Sequence, residues 1–203
     1  IVIAFDLLPS HEAAGFVDER CLQSVTDWGA VTEAPYTLDQ TLNLADRTHD
    51  AGVNDEPSIE QLTTLLERYQ CGDLYESEFL ANELTREFPK HQFGWKVLGA
   101  VLQETGRIAE AKKASKISLE LSPSDPDAHN NLGNVLKALD EFEAAEASYR
   151  AAIALKPDYS NAHLNLGITL AALDRRDEAI ASYDRALLLE PDNKQAEHML
   201  AAV

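Results

Sequence analysis

Four groups of residues in this chain could in principle do chemistry. His11-Glu12-Ala13-Ala14-Gly15 begins like a zinc-protease helix but ends in glycine, where a second imidazole must stand to close the metal site. His129 and His163 lie 34 residues apart. On stacked helices that step separates them by roughly 10 Å, too far for both to reach one zinc at ~2 Å. Asp140, Glu141, Glu143 and Glu146 crowd one turn and helix start, but nothing pairs one as an acid with another as a base, and they read as a solvated surface. Cys71 precedes a turn glycine and has no local histidine to activate it. Neither a phosphate loop nor GxGxxG occurs in the sequence. The expectation is a protein without catalytic residues, metal or cofactor.

Charge and cysteine usage narrow the partners. Lys and Arg total 17 against 35 Asp and Glu, a formal net charge of -18. Such a field repels phosphate backbones and anionic lipid, which disfavours nucleic acid and leaves a neutral or basic peptide as the better partner. Cys21 and Cys71 form no CxxC pattern. They read as two thiols in a reducing, cytoplasmic setting, with a disulfide as the alternative. No apolar run approaches the ~20 residues of a membrane helix. Ile1–Phe5 is short, with no basic residues before it, and is a poor signal peptide. The chain starts at Ile and stops at Val203 inside what reads as a helix. Both ends look like cuts, so a piece of a longer protein is expected.

The elements that position any site repeat with a fixed step. Pro89, Pro123, Pro157 and Pro191 are spaced by 34 residues. The same step relates Gly72, Gly106, Asp140 and Asp174, then Leu98, Leu132, Leu166 and Leu200, then Gly99, Gly133 and Gly167, then Ala111, Ala145 and Ala179. Leu132, Leu136 and Leu139 make one apolar helical stripe, with Gly133 inside it, where a paired helix can come close. Asp140 and Asp174 can adopt the left-handed turn that Gly72 and Gly106 take freely. A second helix follows, with Ala145, Tyr149 and Ala152 facing inward, and Pro157 ends it. Each unit is a helix–turn–helix hairpin.

These columns resemble the tetratricopeptide repeat. Trp95, Leu98-Gly99, Leu102, Ala111 and Pro123 match its pattern, with leucine in place of tyrosine. His129, Leu132-Gly133, Leu136, Ala145, Tyr149, Ala152 and Pro157 match it better, and His163, Leu166-Gly167, Leu170, Ala179, Tyr183, Ala186 and Pro191 match equally well. The resemblance implies an all-α fold, a right-handed solenoid of three to four repeats. The 58–91 repeat is degenerate, with Thr64-Leu65 where Leu-Gly belongs and Ser77 for Ala; Ser58 with Gln61 makes a capping box at its start. Repeats 92–125, 126–159 and 160–193 follow. Ser115 and Ser118 are expected to weaken the second helix of 92–125. Residues 194–203 form a capping helix, with Ala196, Leu200 and Val203 inward.

Residues 1–57 stand outside the register and carry 11 acidic and two basic residues. Two helices are expected there, from Ser10 to about Trp28 and from Thr37 to Gly52, packed as a cap; a flexible acidic arm is the alternative.

In such arrays the first helix of each pair lines a concave groove. By the resemblance, Lys96, Asn130, Asn131, Asn134, Lys137, Asn161 and Asn165 line it. An asparagine column suits an extended peptide, because each amide offers a donor and an acceptor without reading side chains. Asn130 and Asn131 could instead merely suit a first helical turn, and Asn131 and Asn165 could bond the adjacent helix. A carboxylate clamp would need basic residues where Asn161 and Asn165 stand. Asn130-Asn131-Leu132-Gly133-Asn134 and Asn165-Leu166-Gly167 are also similar to the repeats of O-GlcNAc-transferase-type proteins. Many bacterial relatives carry these ahead of a glycosyltransferase, methyltransferase or sulfotransferase domain. That implies a second expectation, a substrate-docking arm; self-association through terminal helices is a third.

Overall fold

A computed structural model describes residues 56–203, and the helices expected before residue 56 lie outside the described residues. All regular structure among the described residues is α-helical: α1 Ile59–Gln70, α2 Leu74–Glu87, α3 Gln92–Glu104, α4 Ile108–Leu121, α5 Pro126–Ala138, α6 Phe142–Leu155, α7 Ser160–Ala172, α8 Arg176–Leu189 and α9 Lys194–Ala202. They divide into two compact units, 56–121 with α1–α4 and 122–203 with α5–α9. Each unit is built of antiparallel hairpins, α1/α2 and α3/α4 in the first, α5/α6 and α7/α8 in the second. Within each, a first helix also touches the first helix of the next hairpin, α1 on α3 and α5 on α7. Within each unit this is the consecutive antiparallel helix pairing that the tetratricopeptide resemblance implies.

One turn closes all four hairpins. Gly72, Gly106, Asp140 and Asp174 take φ of 76°, 79°, 57° and 59°. After each, a backbone N–H reaches five residues back: Asp73 to Arg68, Arg107 to Leu102, Glu141 to Leu136 and Arg175 to Leu170, at 2.8–3.1 Å. That bond satisfies a carbonyl the helix end would leave open. The aspartates therefore do fill the glycine's left-handed position. The Ser58–Gln61 capping box also forms.

Helix pairing rests on glycine against a large or small neighbour. A Cβ on Gly133 would lie 2.6 Å from Tyr149 Cε1, and one on Gly167 2.5 Å from Tyr183 Cε1. Both rings are fully buried. In the first unit Ser115 takes the tyrosine column, and α4 comes so close that a Cβ on Gly99 would meet Ser115 Oγ at 2.8 Å and its backbone N at 3.4 Å. The serines do not break α4, which runs unbroken for 14 residues. Ser115 and Ser118 are buried, and closer packing replaces the missing ring. In α9 Ala196 is buried, while Leu200 and Val203 are half-buried.

Cys71 is disulfide-bonded, against the expectation of a thiol, and the chain's one other cysteine, Cys21, lies outside the described residues. Sequence spacing excludes a local metal knuckle but does not exclude a bridge across the fold. With Cys71 bonded, the thiols no longer argue for a reducing compartment.

Candidate peptide-binding face

Six of the seven expected groove residues fall on α5 and α7 of the second unit. Lys96 sits half-buried on α3 of the first. Asn130, Asn134 and Lys137 follow at steps of four and three along α5, so they share one face. Asn161 and Asn165 do the same on α7. Asn130 and Asn161 are buried; Asn131, Asn134, Lys137 and Asn165 are half-buried.

Four of these side chains bond across the face. Lys137 Nζ donates to Asn165 Oδ1 at 2.9 Å, and Asn165 Nδ2 donates to Asn130 Oδ1 at 3.3 Å. The Tyr149 hydroxyl, rising from α6, donates to Asn134 Oδ1 at 2.8 Å. Lys137 Nζ also stands over the Tyr149 ring, 5.9 Å from its centre. Burial lowers the Lys137 pKa from its ordinary value and raises that of Tyr149. Asn131 stands apart: its Nδ2 is buried and has no partner among the described residues.

The sequence places Tyr149 on the inner face of its helix with Ala145 and Ala152. Its hydroxyl's reach to Asn134 was not expected. The signal lay in the repeat itself, because position 134 holds asparagine where the next repeat has Ile168, so Tyr183 meets no amide there.

The histidines bond the proline turns that precede them. His129 Nε2 lies 2.9 Å from the Pro123 carbonyl and His163 Nε2 3.0 Å from that of Pro157. Trp95 Nε1 donates to the Pro89 carbonyl at 2.9 Å in the same column. Each ties the first helix of a hairpin to the proline turn before it. Among the described residues no group of three or more His, Cys, Asp or Glu is placed to hold a metal, and no helix is long and apolar enough to cross a membrane.

Of the acidic cluster at 140–146, Asp140, Glu141 and Glu143 are exposed as expected, while Glu146 is half-buried. Glu146 accepts from Arg175 at 2.6 Å and from Arg150 at 2.9 Å, and Glu178 accepts from Arg175 at 2.6 Å. This clasp joins α6 to α8. In the first unit Arg107 makes the same pattern, bonding Glu78 of α2 and Glu110 of its own helix. Desolvation raises the Glu146 pKa, but the bonds from Arg175 and Arg150 outweigh it and hold it below the ordinary carboxylate value.

Comparison with known proteins fits this geometry. Residues 133–174 match a family described as TPR repeat, and residues 160–193 match the tetratricopeptide repeat itself. No curated protein matches the chain. Among solved structures, MamA superposes with a TM-score of 0.62 at 21% identity, covering 72% of this chain and 83% of that one. The first TPR of Spaghetti (RPAP3), bound to the HSP90 peptide SRMEEVD, gives 0.54 at 28% identity, covering 55% of this chain and 88% of that one. The second TPR domain of human RPAP3, in complex with the HSP70 peptide SGPTIEEVD, gives 0.51 at 26% identity, covering 53% and 90%. Residues 133–193 thus match tetratricopeptide-repeat models, and the chain is similar in structure to solved domains of this kind, two of them with a peptide bound.

Proposed function

We propose that this tetratricopeptide-repeat chain is a non-catalytic scaffold that binds an extended peptide along the α5–α7 face of its second unit. The observation that carries this reading is the bonded row from Lys137 through Asn165 to Asn130. Two successive first helices here share one polar strip of amides, half-buried at Asn134 and Asn165 and buried at Asn130 and Asn161. Asparagine is a mediocre helix former, and a mid-helix run of it suits backbone recognition. The likeness to peptide-bound RPAP3 domains supports the mode of binding. It does not extend to the same ligand, because this strip carries one cation, Lys137, and Asn161 and Asn165 where a carboxylate clamp would need basic groups. A peptide of neutral or basic net charge fits the acidic chain better.

The family matches concern the repeat itself and lend no support to an O-GlcNAc-transferase-type docking arm. Self-association through the terminal helices is tested by light scattering, where a monomer at every concentration removes it.

The reading is tested with the intact chain on an array of random octapeptides. A reproducible set of bound peptides, weakened by Asn134→Ala while helix content by circular dichroism is unchanged, is the expected result. An array that captures nothing above background, or binding indifferent to Asn134→Ala, overturns it.

A further inference from the structure

The start of α2 differs from the starts of the other second helices. Tyr75 and Phe79, one turn apart on α2, are 42% and 37% exposed. At steps of 34 residues, the column of Tyr75 holds Ala109, Glu143 and Asp177, and that of Phe79 holds Lys113, Ala147 and Ala181. All six of these residues are exposed. Both columns therefore face outward in every repeat, and three repeats fill them with small or charged side chains. The first repeat alone puts two aromatic rings there. A single exposed ring is ordinary, but two neighbours in solvent-facing columns make an apolar stripe that hairpin packing does not require.

A covalent bond begins beside that stripe. Cys71 ends α1 and lies exposed in the turn that feeds α2. It is disulfide-bonded, and Cys21 is the chain's one other cysteine. A disulfide keeps two Cα atoms within about 4.4–6.8 Å, so a bond within the chain brings Cys21 to the start of α2. The sequence around Cys21 has an apolar face of its own. In the helix expected from Ser10 to about Trp28, Val17, Cys21, Val25 and Trp28 share one side at helical spacing. At about 1.5 Å per residue, Val25 and Trp28 follow Cys21 by about 6 and about 10 Å, a reach that covers Tyr75 and Phe79, themselves about 6 Å apart. Charge agrees with this placement. Residues 1–57 carry 11 acidic residues against two basic ones. The next second helix, α4, is joined to α2 through Arg107 and Glu78 and presents exposed Lys113 and Lys116.

We propose that the Tyr75–Phe79 stripe of α2 is the docking surface for residues 10–28 of the same chain, with Val25 and Trp28 laid over the two rings and the Cys21–Cys71 disulfide as the lock. The occupant is this segment because the covalent bond holds it next to the stripe at an effective concentration that a separate partner does not reach. The first repeat, with Thr64-Leu65 in place of Leu-Gly and Ser77 in place of alanine, thereby gains an outer layer that the other repeats do not have. The surface is separate from the α5–α7 face, and the proposal stands or falls independently of peptide binding.

Tryptophan fluorescence on the intact, oxidised chain tests it. Trp28 and Trp95 are the two tryptophans, and Trp95 is 1% exposed, so acrylamide quenching reports on Trp28. Tryptic mapping of the monomer without reductant should first show residues 21–47 joined to 69–86. Trp28 should then be shielded in the wild type. Tyr75→Ser with Phe79→Ser, at two exposed positions outside the core, should remove that shielding while the disulfide still forms. Val25→Ser, which lies outside the repeats, should do the same from the other side of the contact. Circular dichroism and thermal melting check that each variant keeps its helices. A disulfide found between two chains would overturn the proposal in favour of a second copy. A Trp28 already open to acrylamide in the wild type, or one that stays shielded in both variants, would overturn it as well.

Discussion

Gly133→Leu tests how the hairpins are held together. A Cβ at residue 133 would sit 2.6, 2.8 and 2.9 Å from Cε1, Cδ1 and Cζ of Tyr149. Carbon atoms rest at ~3.5–4.0 Å, so the ring must retreat by about 1 Å before the rest of the leucine is placed. It has nowhere to go, being fully buried and tied to Asn134 at 2.8 Å. Overpacking of this kind costs about 1–3 kcal/mol, and a broken hydrogen bond adds about 0.5–1.5 kcal/mol. Leaving glycine behind in mid-helix returns about 1 kcal/mol. The net expectation is a loss of about 1–3 kcal/mol. Urea unfolding followed by circular dichroism at 222 nm measures it, and Gly133→Ala should fall between wild type and leucine. An unchanged or raised midpoint for Gly133→Leu would refute the close approach, since only the helix-propensity gain would then remain.

Asn131→Ala is expected to be neutral or stabilising, because it deletes a buried donor with no partner among the described residues. Asn165→Ala strips Lys137 and Asn130 of their shared partner and should cost about 1 kcal/mol; equal effects in urea melts would contradict the bonded row. The Glu146 carboxyl has a folded pKa below its unfolded one, so its contribution is full above the unfolded value and fades as pH falls through the folded value. Stability should therefore decline as pH drops below about 4.5, and Glu146→Gln should flatten that decline; a parallel curve would count against the clasp. His129→Phe should lose about 0.5–1.5 kcal/mol with the Pro123 bond. His129→Trp should keep most of it, as Trp95 does with Pro89; a tryptophan variant as weak as the phenylalanine one would show the bond is irrelevant.

The hairpins were legible in the sequence because their determinants are local and recur every 34 residues. Gly72, Gly106, Asp140 and Asp174 announce their turns by type alone, since few residues tolerate a left-handed backbone. Pro157 announces the end of its helix in the same way and Gly133 the place where a paired helix comes close, but that the Tyr149 ring fills this place comes only from the structure. The site was legible as a set of positions and not as a set of bonds. A column of asparagines says which face they share, but only the neighbouring helix decides which half of each amide is used. That is why Lys137 could not be seen as the donor that orients Asn165, nor Tyr149 as the group that anchors Asn134. Glu146 was placed among solvated carboxylates because its partner Arg175 stands 29 residues away, on the next hairpin. Ser115 reads as a weakness in α4 because the sequence does not show that two helices can simply move closer.

The central claim is that the α5–α7 face receives the peptide, and amide and side-chain NMR shifts on the intact chain, titrated with the strongest array binder, test it most directly. The account predicts changes concentrated at Asn130, Asn134, Lys137 and Asn165, with the outer helices α6 and α8 quiet apart from Tyr149. Changes centred on the Glu146–Arg175 clasp of α6 and α8, with those four residues unmoved, would contradict it.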